Sequence, residues 1–266
     1  MNIVKAHAYG NDFLLAPADG APGDLPALAR AACHRHTGIG ADGLILYTLR
    51  ERGATMKLLN ADGSWSELSG NGLRCLAALV AHVQNLRPGV TVSIDSDAGL
   101  KTLDFLAQDG CRYEFRAAMG HPVDIRQVTI AAAGETLTAT VLRTGNPQCV
   151  VLGPLPAPER FHMLGPALST HSMFAEGTNV EFAQVDAPDR VRILIWERGV
   201  GPTSSSGTGS TAAAVAAAAH GGASRSIDVM APGGLQHVDW QESGAYLTGW
   251  ADLVLEGRWL EDGRTG

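Results

Sequence analysis

No apolar run in this chain is long enough to cross a bilayer as a helix. The longest, 212–219, is mostly alanine and is both too short and too weakly hydrophobic. No charged-then-apolar leader follows Met1, so no secretory signal is expected. Cys33, Cys75, Cys111 and Cys149 are the four cysteines, and no two form a C-x-x-C pair. That removes the usual zinc and dithiol signatures and predicts reduced thiols in a cytoplasmic protein. His34 and His36 are close in sequence but have no further ligands beside them, so no metal site is expected. Charged residues are sparse, at 18%, and the formal net charge is −7. This disfavours nucleic acid or an acidic membrane as a partner, while leaving room for a small anionic molecule held by local N–H groups. There is no proline-rich linker and no low-complexity tail. With 266 residues, 45% of them hydrophobic, the chain is expected to be globular and large enough for two cores.

What is present is organised around 192–222, RILIWERGVGPTSSSGTGSTAAAVAAAAHGG. It reads as a strand at 193–196, a glycine-rich loop at 204–209, and a helix at 210–219 stopped by Gly221 and Gly222. Small residues at a helix start leave backbone N–H groups open at the positive end of the dipole, which is an anion site. Glu197 and Arg198, at the strand's end, can both reach such a loop.

The pattern occurs twice. Ser69-Gly70-Asn71-Gly72 lies 137 positions before Ser206-Gly207-Thr208-Gly209, and Asn60 lies 137 before Glu197. Gly40-Ala41-Asp42 and Gly177-Thr178-Asn179 share that offset, and Gly10-Asn11 lies 135 before Gly145-Asn146. Ordered matches at a nearly constant offset argue for a duplicated chain. They predict two similar domains of about 130 residues, with two anion-binding loops that could face one cleft.

Between these motifs, 24–36 reads as a helix with Asp24 as cap and Pro26 in its first turn. The loop 37–43 is followed by a strand and lacks Lys-Ser/Thr, so it is neither a dinucleotide nor a Walker loop. Gly10-Asn11-Asp12 reads as a turn. Residues 90–115 alternate as antiparallel strands, and 119–122 reads as a turn between the halves. Strands at 128–132, 135–143 and 149–152, a helix at 159–171, and closing strands at 227–230, 235–240 and 245–255 complete the second half. The helix of small residues suits a site inside a tightly wrapped sheet. The expected fold is therefore α+β, with each half a curved antiparallel sheet round one central helix.

Eight motifs stand in order: Gly10-Asn11-Asp12-Phe13, Gly38-Ile39-Gly40-Ala41-Asp42-Gly43, Asn60-Ala61-Asp62-Gly63-Ser64, Gly70-Asn71-Gly72 with Arg74-Cys75, Gly145-Asn146-Pro147, Thr178-Asn179-Val180, Glu197-Arg198-Gly199 and Gly207-Thr208-Gly209. On these the chain resembles the diaminopimelate epimerases, and more broadly the cofactor-independent amino-acid racemases and isomerases, over nearly its whole length. The resemblance implies two pseudo-symmetric domains, 1–115 (completed by a strand near 252–266) and 116–251. It implies inversion of LL-diaminopimelate to the meso form on the route to lysine and peptidoglycan. It also implies no metal, pyridoxal phosphate or other cofactor, an amino-acid substrate, and a homodimer. By position, Gly70, Asn71, Gly207 and Thr208 would hold the reacting carboxylate. Asn11, Asn60, Asn146, Asn179 and Arg198 would hold the distal head, with Arg198 able to grip a carboxylate bidentately.

The resembled enzymes carry protons on two cysteines. Here those places hold Ser69 and Ser206, and the histidine expected after Asn-Pro is Gln148. A hydroxyl is a far weaker acid than a thiol and needs an adjacent base. Gln148 does not titrate, so only Glu197, near Ser206, fits that role. Several readings stay open. The serines could mark cysteines exchanged in an epimerase held for ligand trapping, which leaves Gln148 unexplained. They could belong to a divergent epimerase, to a same-fold isomerase, tautomerase or dehydratase with Glu197 as single base, or to an amino-acid-binding homologue without turnover. Outside that context a serine before glycine is ordinarily an N-cap, Asn60 and Asn179 suit turns, and Glu197 suits an ion pair with Arg198.

Overall fold

The structure, a computed structural model, describes residues 1–260. The chain divides into two compact units, one of 1–116 with 249–260 and the other of 117–248. The segment 252–266 is described only as far as 260, and 261–266 lie outside the described residues.

The first unit opens with β1 (Asn2–Ala8) and β2 (Asn11–Pro17), followed by α1 (Leu25–Cys33), β3 (Gly43–Arg50), β4 (Gly53–Asn60), the short β5 (Trp65–Ser66) and α2 (Gly70–Val83). It continues through β6 (Thr91–Ser96) and β7 (Gly99–Asp109) into β8 (Arg112–Gly120). The second unit runs β9 (Val123–Ala132), β10 (Glu135–Arg143), β11 (Pro147–Leu152), α3 (Pro158–Ser169), β12 (Asn179–Ala187) and β13 (Arg190–Glu197). Then come β14 (Gly201–Thr203), α4 (Gly207–His220), β15 (Ser226–Ala231), β16 (Gly234–Gln241) and β17 (Gly244–Arg258), whose far end pairs with β1.

The pairings repeat. In the first unit β1 and β2 are antiparallel, β2 and β3 parallel, β3 and β4 antiparallel, and β4 and β6 parallel. In the second, β10–β11, β11–β12, β12–β13 and β13–β15 follow the same order of senses. Each parallel pair is bridged by a helix, because two parallel neighbours need a long crossover. The sheets are therefore mixed, with the helices supplying the returns.

A strand between two helical layers is apolar on both faces. In β13, Val191, Ile193 and Ile195 pack with α4, while Leu194 and Trp196 lie against the cluster of α3. This is why its sequence reads as a run rather than an alternation. Residues 212–217 of α4 are at most 2% exposed, so the helix is wrapped on all sides and only small side chains fit. Replacing Ala213, itself fully buried, with leucine should cost about 1–3 kcal/mol of stability through overpacking. The urea midpoint should fall with the slope unchanged.

Helix starts differ from the sequence reading in one consistent way. Gly207-Thr208-Gly209 is the first turn of α4 and not a loop before it, and Gly70-Asn71-Gly72 is likewise the first turn of α2. Glycine is a poor helix former, but the serine cap offsets it by accepting an otherwise orphaned N–H. The first hairpin also differs. Its turn is Tyr9-Gly10, both at positive φ (57° and 85°), and Asn11 and Asp12 already belong to β2. Two left-handed residues fit a two-residue hairpin loop. Tyr9 holds that conformation while buried, its hydroxyl accepting from Trp250 N at 3.1 Å.

Candidate active site

In the first unit, Ser69 caps α2, its Oγ accepting from Gly72 N at 3.1 Å. The N–H groups of Gly70 and Asn71 lie in the first turn, where no helical carbonyl can accept them. Asn71 is held by a polar chain with one direction throughout. Arg74 Nη1 donates to Asn71 Oδ1 at 2.7 Å, Asn71 Nδ2 to Asn11 Oδ1 at 3.3 Å, and Asn11 Nδ2 to Asp42 Oδ2 at 2.8 Å. Arg35 binds Asp42 at 2.7 Å and Asp12 at 2.8 Å, and Lys5 reaches Asp12 at 3.0 Å. Burial opposes charge on Asp12, but Arg35 and Lys5 outweigh it and hold the carboxyl below its ordinary value. Two expected residues, Asn11 and Asn71, are thus joined between a buried guanidinium and a carboxylate. Asn60 is not joined to them by a hydrogen bond. It ends β4, and its Nδ2 donates to Ser64 Oγ at 2.9 Å within the 60–64 turn.

In the second unit, Ser206 caps α4 in the same manner, with Oγ accepting from Gly209 N at 3.2 Å and lying 3.4 Å from Thr208 Oγ1. The Thr208 carbonyl accepts from Thr144 Oγ1 at 3.2 Å. Gln148 and Asn146 side chains meet at 2.5 Å. Asn179, the first residue of β12, accepts Arg198 N at 2.9 Å through Oδ1. The Arg198 guanidinium donates to Glu176 O at 2.7 Å. Arg198 and Glu197 form no ion pair among the described residues, the guanidinium going to Glu176 O instead. Glu197 ends β13 in phase with Ile193 and Ile195, and burial raises its carboxyl above the ordinary value.

One residue of this cluster was not singled out from the sequence. Glu181 is fully buried on β12, two residues from Asn179 and in phase with Ala183, which packs in the core around α4. A β-carbon placed on Gly209 would come within 2.6 Å of its Oε1. Burial first, then the nearby Glu197, pushes its carboxyl well up. The signal in the sequence was phase: in 179–183 the polar residues alternate with Val180 and Phe182, which belong to the other core. The three buried cysteines, Cys33, Cys75 and Cys149, offer no substitute proton carrier. Burial pushes Cys75 up, and pushes Cys33 and Cys149 up to about 12.

Among the described residues no group of three or more His, Cys, Asp or Glu side chains could hold a metal ion, and no helix is long and apolar enough to cross a membrane.

The diaminopimelate epimerase family model matches residues 3–123 and 140–254. A diaminopimelate epimerase of Desulforudis audaxviator is 38% identical over 98% of this chain and 99% of its own length. One from Desulfitobacterium hafniense is 36% identical over 98% and 99%. Among solved structures, a predicted epimerase from Pseudomonas aeruginosa aligns over 98% of this chain and 99% of its own with a TM-score of 0.74, at 13% identity. That last likeness bears on fold, and it is the fold of two curved sheets, each with its central helix. Family match, full-length relatives and duplicated architecture agree: the chain belongs to the diaminopimelate epimerase family and, with it, to the isomerases that act on amino acids.

Proposed function

We propose that this protein inverts one α-carbon of LL-diaminopimelate to give the meso isomer, with Ser69 and Ser206 in the proton-carrying positions. The observation that supports this most is the identical start of α2 and α4, each with a serine Oγ fixed by the third N–H of its own helix. Removal of the α-proton builds negative charge on the adjoining carboxylate. Preorganised N–H donors at Gly70, Asn71, Gly207 and Thr208 stabilise that charge as it forms. Glu197 is the group able to relieve Ser206 of its proton, and Asn11, Asn60, Asn146, Asn179 and Arg198 recognise the distal amino-acid head.

The test is turnover of LL-diaminopimelate in deuterated water. Deuterium incorporation with inversion supports the proposal. Incorporation without inversion favours the second reading, a same-fold isomerase with Glu197 as single base, for which the absence of a titratable group at Gln148 speaks. Binding with neither would leave an amino-acid-binding homologue. Arg198→Ala should weaken binding of a diaminopimelate analogue roughly tenfold or more, since a charge-assisted hydrogen bond contributes about 1.5–3 kcal/mol. Unchanged affinity in calorimetry would remove Arg198 from the site.

A further inference from the structure

Gln148 presents an apparent contradiction in its contacts. Its side-chain oxygen lies 3.0 and 3.2 Å from the two oxygens of Glu181, while its nitrogen lies 2.5 Å from Asn146 Oδ1 and 3.3 Å from Thr208 Oγ1. Oxygens at that separation need a proton between them. One solution turns the amide over towards a charged Glu181, but that sets its oxygen against Asn146 Oδ1 and requires Asn146 to turn as well. The other leaves both amides as they are and places one proton on Glu181.

We propose that Glu181 is held as a neutral carboxylic acid and acts as a positioning residue, directing a hydrogen-bond chain from Glu181 through Gln148 and Thr208 to Ser206. Glu181 donates to Gln148 Oε1, Gln148 Nε2 donates to Asn146 and Thr208 Oγ1, and Thr208 donates to Ser206 Oγ at 3.4 Å. Ser206 Oγ then accepts from both Thr208 and Gly209 N. Its own proton must point away from the chain. With Glu181 charged and Gln148 reversed, every donor in the chain would run the other way and draw the Ser206 proton inward.

The surroundings favour the neutral acid. From β13 the facing ionisable group is Glu197; on β11 the Cys149 side chain next to Gln148 in sequence points into the other core, where burial and Glu181 raise its thiol. The start of α4 brings only small hydroxyl and glycine residues. Its dipole does favour a charged Glu181, but by at most about 30-fold in the ionisation equilibrium. Full burial opposes the charged form, and with Glu197 facing it the carboxyl is pushed well up.

That an outward Ser206 proton is delivered to substrate rests on the epimerase reading, but the chain itself does not, and the decisive tests need no substrate. A carboxyl neutral in the fold but ionised in the unfolded chain makes the wild type less stable as pH rises above its unfolded value. Glu181→Gln, whose amide can still donate to Gln148, lacks that dependence. The ratio of the wild-type to the variant unfolding constant, measured in urea, should grow about tenfold per pH unit above about pH 5. A ratio that does not change with pH overturns the proposal. If Glu181→Gln does not fold, infrared spectra of the wild type and Glu197→Gln decide. Both should show the carbonyl stretch of a protonated carboxylic acid at neutral pH, and its absence overturns the proposal. The direction of the chain has its own readout: Glu181→Leu should exchange the substrate α-proton at least about tenfold more slowly than Glu181→Gln, within the range of general acid–base contributions. Equal rates would overturn that part.

Discussion

Cysteine at both Ser69 and Ser206 raises the rate of diaminopimelate epimerisation by about 10²-fold or more, the lower end of what a well-matched acid–base pair contributes. The expectation follows from where these residues sit. Each is the N-cap of a long helix and holds its Oγ by a first-turn N–H, at 3.1 Å for Ser69 and 3.2 Å for Ser206. A thiol there would meet the same donors and the same dipole, conditions that lower a cysteine pKa towards neutrality. The hydroxyl gains from that environment too but starts from a far weaker acid. Thiol is the poorer cap, and each exchange should cost no more than about 1 kcal/mol, the usual loss on removing a serine cap. Stability and activity should therefore move in opposite directions. Single exchanges should give much less than the double, because inversion needs a carrier on each face and such effects are not additive. Exchange and inversion followed together by NMR in deuterated water check this. No gain in either would mean that protons are not carried at these positions.

Much of this was legible in the sequence because it depends on local chemistry. The 137-residue offset foretold the repeated strand pairings, since a duplicated hydrophobic pattern has to solve the same burial problem twice. The alanine helix foretold its own enclosure, now seen at residues 212–217. The sequence reading starts α4 three residues late because glycine's low propensity hides a first turn stabilised by its cap. Spacing groups Asn60 with the other asparagines but does not show that its amide donates within the 60–64 turn, a use equally natural to the residue. Arg74 was visible as a motif residue. Its role as the donor end of the chain to Asp42 depends on one contact within α2 and two between residues distant in sequence. Glu181 was hidden for a similar reason. Whether a glutamate in a strand faces water or a helix start depends on which side the helix packs, a tertiary fact.

Glu197→Gln should lower epimerisation by about 10²- to 10⁴-fold, the span lost with a general base, and should raise stability at neutral pH. The two effects share one cause. Burial lifts the Glu197 carboxyl above its ordinary value, and no ion pair with Arg198 offsets it, because that guanidinium turns to Glu176 O. The base form is the charged one, so wild-type activity should rise with pH through this raised value. Its acid limb should sit above the ordinary carboxylate range, and the variant should lack it. Stability runs the other way: the fold prefers the neutral acid and the unfolded chain ionises more readily. The wild type therefore loses stability as pH climbs past the unfolded value, and the amide variant does not. An ion-paired or merely structural glutamate would give the reverse, a variant less stable at neutral pH. Activity profiles and urea unfolding taken over the same pH range separate the two. A variant that loses turnover while gaining stability marks a carboxylate kept at a cost to the fold for the sake of proton transfer.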